Sequence, residues 1–65
     1  MSWGHIQAHW KDFERDAQRQ WDKLTDEELA QVKGHRERLI ARLQERYGYD
    51  REQAQDEIRR WEHQF

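Results

Sequence analysis

Apolar residues return along the first third of the chain at steps of three and four, at Trp3, Ile6, Trp10, Phe13, Ala17, Trp21 and Leu24. That repeat places them on one face of a 3.6-residue helix, and strand alternation fails over the same window. It predicts a single helix from about Gly4 to Trp21. The pattern breaks at the stretch KLTDEEL, residues 23–29. Thr25 suits an N-cap, Glu28 three residues later completes a capping box, and Asp26 and Glu27 favour the positive end of a helix. Leu24 before the cap and Leu29 in the first turn occupy the two positions of a hydrophobic staple. The three carboxylates therefore have a structural task, and a short second helix is predicted from about Asp26 to Val32, with Gly34 as its stop. Leu39, Ile40, Leu43 and Tyr47 form the face of a third helix that Gly48 ends. Asp50 then caps a fourth, Gln53 repeats the box spacing, and Ala54, Ile58, Trp61 and Phe65 line its buried side.

Four short helices around one small core make the expected fold all-α, with 1–65 a single domain, because no repeat or long linker divides the chain. The abrupt breaks near Thr25 and Gly34 favour steep crossings over a long parallel bundle. With 40% charged residues, 34% hydrophobic residues and a mean hydropathy of −1.56, the composition lies close to that of disordered chains. Four tryptophans, two tyrosines and two phenylalanines argue for order, since large rings concentrate burial in few positions. Cysteine is absent, which excludes disulfides, thiolate metal sites and cysteine nucleophiles. No apolar run reaches signal-peptide or membrane-spanning length, so a cytoplasmic protein with no membrane association is expected.

Candidate chemistry is sparse. His5 and His9, four apart, with Asp12 and Asp16 continuing that side, have spacing that permits a surface metal site, but without a third strong ligand the expectation is no metal. The carboxylates of KLTDEEL offer no tuned acid/base pair, and serine occurs once, at position 2, so neither a catalytic residue nor a small-molecule substrate is evident. No cofactor motif is present. Trp10, Trp21 and Trp61 fall on helical stripes and are assigned to the core rather than to a base-stacking surface. Charge is uneven: residues 33–46 carry five Lys or Arg against two Asp or Glu, whereas residues 1–32 carry four against seven and residues 47–65 three against five. Arg38, Arg42 and Arg46 recur every four residues along one flank of the third helix, with Lys33 and His35 near its start. This basic ridge is the candidate contact for phosphate or an acidic partner, against the alternative of a solvated face paired with neighbouring helices.

Trp10-Lys11, Trp21-x-Lys23-Leu24-Thr25-Asp26, Leu29, Gly34, Leu39, Gln44-Glu45-Arg46-Tyr47-Gly48 and Glu52-x-Ala54 together resemble the CsbD-like family of small bacterial general-stress proteins. The resemblance covers nearly the whole chain. It implies a compact helical fold like two crossed helical hairpins, similar to sterile-alpha-motif domains, and expression linked to stress, and it supplies no catalytic residue. Relatives often carry glycines where this chain has Ala8, Glu14-Arg15 and Asp22, so the first helix is expected to be stiffer. The expected function is a non-catalytic interaction or protective module with a macromolecular partner, a protein rather than a nucleic acid; the alternative is a weak, non-specific nucleic-acid-binding module using Lys33, Arg38, Arg42 and Arg46.

Overall fold

The computed structural model describes residues 2–65, which form five helices: α1 (Trp3–Ala8), α2 (Trp10–Gln20), α3 (Asp26–Val32), α4 (Arg36–Tyr47) and α5 (Arg51–Glu62). The all-α expectation holds, and α3 begins and ends where the capping box and Val32 placed it. Both predicted boxes are formed. The Glu28 backbone N–H donates to Thr25 Oγ1 and the Thr25 N–H to Glu28 Oε1, each at 3.1 Å. At α5 the Gln53 N–H donates to Asp50 Oδ1 at 2.8 Å and the Asp50 N–H to Gln53 Oε1 at 3.1 Å. Lys33 and Gly34 turn through the left-handed region with φ of 52° and 77°, and Gly48 ends α4 at φ 70°.

The first segment departs from the expected single stiff helix. It breaks at His9, where φ is −117° and ψ is 35°. No proline or glycine occupies the break; its cause is tertiary. Bending there lays α1 across the α3–α4 turn, where the Trp3 indole N–H donates to the Gly34 carbonyl at 2.9 Å. The backbone of Gln7 comes so close that a Cβ on Gly34 would meet Gln7 Cα at 2.8 Å. One straight helix through both segments would carry Trp3 away from that turn.

All five helices face one core built from Ile6, Trp10, Ala17, Trp21 and Leu24 in the first half, Leu29 and Val32 in α3, and Leu39, Ile40, Leu43, Ala54, Ile58 and Trp61 in the second. Sequential helices pack against one another from α1 to α5. The radius of gyration, 10.5 Å, matches the roughly 11 Å of a globular chain this long, so the helices share that core rather than extend from it. Trp61 is its hub, with the rings of Trp3, Trp10, Trp21, Phe13 and Phe65 at 5.3–6.3 Å, mostly tilted or edge-on. Leu24 and Leu29, the predicted staple residues, are both buried. Among the described residues no buried side-chain nitrogen or oxygen lacks a hydrogen-bond partner, and no helix is long and apolar enough to cross a membrane.

Candidate functional site

The tryptophans present apolar bodies to the core and leave their N–H groups to be satisfied. Each indole donates: Trp3 to Gly34 O, Trp10 to Leu29 O at 2.8 Å, Trp21 to Glu57 Oε1 at 3.3 Å and Trp61 to Asp16 Oδ2 at 2.8 Å. Trp10, Trp21 and Trp61 are 5%, 1% and 0% exposed, which leaves no ring face for a base or ligand. The bond from Trp61 also corrects the sequence grouping of Asp16 with the exposed histidine side of the first helix. Asp16 faces the core of α5, because the indole N–H needed an acceptor that the periodicity did not reveal.

His5 and His9 lie against each other with ring centroids 4.7 Å apart, and His9 Nδ1 is 3.9 Å from Asp12 Oδ2. Among the described residues no three histidine, aspartate or glutamate side chains converge to hold a metal ion.

The basic ridge is divided by the fold. Arg46 and Arg42 turn toward Glu28 of α3, the one buried charged residue among the described residues. Arg46 donates to Glu28 Oε2 through Nε at 3.0 Å and Nη2 at 2.6 Å, and Arg42 Nη1 lies 3.8 Å from the same oxygen. Glu28 thus uses one carboxylate oxygen to close the box at Thr25 and the other to tie α3 to α4. The Arg46 hydrogen bond first, and the Thr25 N–H second, hold the Glu28 carboxyl below its ordinary range against the opposing effect of burial. Arg42 also reaches Gln31 Oε1 and Glu45, and Arg38 donates to the Gln31 carbonyl at 3.1 Å. Arg38 and Arg42 line one shallow recess with Gln31, Val32, Ala41 and Glu45. Lys33 is not with them; it lies across α3 on the α2 side. A second clasp joins α4 to α5, where Arg51 donates to both carboxylate oxygens of Glu37 at 2.9 and 2.7 Å and lowers its pKa.

Sequence reasoning missed the surface on which Lys33 does lie. An open groove of about 580 Å³ runs past Ala8, Trp10, Lys11, Ala30 and Lys33. It continues through Lys11 and Glu14 into a recess of about 500 Å³ lined by Arg15, Gln18, Arg19, Asp26 and Leu29. Lys11, Arg15 and Arg19 recur every four residues, the same signal as on α4, but the acidic balance of residues 1–32 concealed it.

Comparison with known proteins gives relatives along nearly the whole chain. A UPF0337 protein of Pectobacterium atrosepticum is 44% identical over 62 residues, covering 95% of this chain and 90% of that protein. The UPF0337 protein YjbJ of Escherichia coli K12 is 43% identical over 55 residues, covering 85% and 80%. A UPF0337 protein of Rhodopseudomonas palustris is 38% identical over 61 residues, covering 94% and 92%. These names state no reaction. No family model and no solved structure matches the chain. On identity sustained over that much of both proteins, the chain belongs to the UPF0337 family.

Proposed function

We propose that this chain acts by contact, as a non-catalytic interaction or protective module of the stress response, the context that its resemblance to CsbD-like proteins implies. The observation that carries the reading is that Glu28 and Glu37 are each held by an arginine of a neighbouring helix. Glu28 and Glu37 are both pushed down, each chiefly by a hydrogen bond from an arginine that links two helices. A general acid working near neutral pH needs the opposite, a carboxyl raised by burial or by a like charge. These two carboxylates are used to tie α3 to α4 and α4 to α5.

A weak nucleic-acid-binding role for Lys33, Arg38, Arg42 and Arg46 is the second reading, favoured by the spacing of the three arginines on α4. It requires Arg42 and Arg46 to exchange Glu28 for phosphate, which would unclasp α3 from α4. Binding of that kind would show a log–log salt slope near −0.9 per phosphate contact, roughly −2.7 for three.

The test of the first reading is complementation. A strain lacking the protein is expected to lose survival under at least one of a panel of stresses, and the Glu27→Gln/Glu52→Gln variant, at two exposed carboxylates outside the grooves, is expected to restore it as well as the wild type. If that fully helical variant fails, the function depends on exposed carboxylates that neither clasp nor groove uses, and the contact reading is overturned. A strain with unchanged survival under every stress would remove the stress role.

A further inference from the structure

The chain has 12 lysines and arginines, and the fold sorts them into two groups. Those on α4 and α5, with Lys23, meet a carboxylate, a carbonyl or an aromatic ring. The side chains of Lys11, Arg15, Arg19 and Lys33 make no hydrogen bond, ion pair or ring contact among the described residues. All four line the α2–α3 groove. The cations left without partners are therefore gathered on one surface, and it is not the α4 ridge.

We propose that this groove docks an amphipathic helix of a partner protein that carries a row of carboxylates beside its apolar stripe. The inference rests on the contact reading above and names the partner's chemistry. Lys11, Arg15 and Arg19 stand at steps of about 6 Å over about 12 Å of α2, the distances at which a partner helix presents carboxylates at i, i+4 and i+8. Between the walls lie the exposed Ala8 and Ala30 and the edge of Trp10, a narrow apolar floor for the partner's leucine or methionine stripe. Asp12, Glu14 and Asp26 also line the walls. Those carboxylates oppose a phosphodiester backbone, which is negative at every step, but a peptide helix can set a lysine or arginine against each. A mixed-charge helix with an apolar stripe fits the groove and a nucleic acid does not.

The experiment uses the full chain and a fluorescein-labelled 18-residue helical peptide. The peptide carries leucines on one stripe, glutamates at i, i+4 and i+8 on one side of it, three lysines on the other side to meet Asp12, Glu14 and Asp26, and alanines elsewhere, and its twin has glutamine for each glutamate. Anisotropy at low salt is expected to show binding of the glutamate peptide roughly 3- to 125-fold tighter than the twin, since each of the three exposed ion pairs contributes roughly 1.4- to 5-fold. Lys11→Gln/Arg15→Gln should weaken it roughly 2- to 25-fold on the same basis, while Arg59→Gln/Arg60→Gln on α5 leaves it unchanged. Amide shifts should map to α2 and α3. Equal affinity for the two peptides, shifts centred on α4, no low-salt binding, or tighter binding of an 18-base-pair DNA duplex would each overturn the proposal. The substituted side chains are exposed, and circular dichroism checks that the variants fold. The titration uses purified protein only, so its failure removes the groove and leaves the complementation result to decide the contact reading separately.

Discussion

Gly34 is the point where local strain and tertiary contact meet, and substituting it separates the two. In Gly34→Ala the new Cβ must take φ near 77° and lie 2.8 Å from Gln7 Cα and 2.9 Å from Gln7 O. Gly48→Ala supplies the reference, because Gly48 has nearly the same φ, 70°, with nothing within 4 Å of its Cβ position. The left-handed conformation costs an alanine about 1 to 2 kcal/mol, and that is the whole expected loss at Gly48. At Gly34 the neighbouring atoms are backbone, so α1 must shift, and overpacking of this kind costs roughly another 1 to 3 kcal/mol. The sum is about 2 to 5 kcal/mol, a large part of the stability of so small a domain. Urea unfolding followed by circular dichroism gives both values, and amide exchange shows whether the Gly34 variant relieves the clash by releasing α1. Released α1 would lose the Trp3 bond to Gly34 O and expose Ile6. Losses for the two alanines that agree within about 0.5 kcal/mol would refute the close approach of α1 to the turn.

Thr25→Ala should cost about 0.5 to 2 kcal/mol in the same denaturation assay, since it removes the oxygen that accepts the Glu28 N–H; an unchanged midpoint would refute the cap. Trp61→Ala should cost about 3 to 5 kcal/mol and largely unfold the chain, because the ring is fully buried at the aromatic hub; a well-folded variant would contradict that placement. The pH dependence follows from Glu28 and Glu37, whose folded pKa values lie below the ordinary 4.5. A depressed carboxyl pKa means the unfolded chain binds the proton more readily, so the stabilisation is present above pH 4.5 and is lost as pH falls through the folded values. Glu28→Gln should flatten stability against pH in that acidic window, and a profile as steep as the wild type would assign the loss to other groups.

Much of this molecule was written locally in its sequence. The span of α3, the boxes at Thr25 and Asp50, the stop at Gly48 and the core placement of three tryptophans rest on interactions within one or two turns or on a repeat that a helix must obey. The residues of the basic ridge were equally legible as a row. Their partners were not, because Arg46 meets Glu28 across 18 positions and Trp61 meets Asp16 across 45. Such pairs exist only once the helices have docked. The break at His9 belongs to the same class: no residue type marks it, and the contacts of Trp3 and Gln7 with Gly34 draw it. The docked helices also decide which cations are neutralised. The i, i+4 spacing is the same on α2 and α4, but α3 turns Glu28 toward α4 and offers no such carboxylate contact to the row on α2. Periodicity specifies which face of a helix is apolar; the charges that meet at its edges are specified by the helix packed beside it.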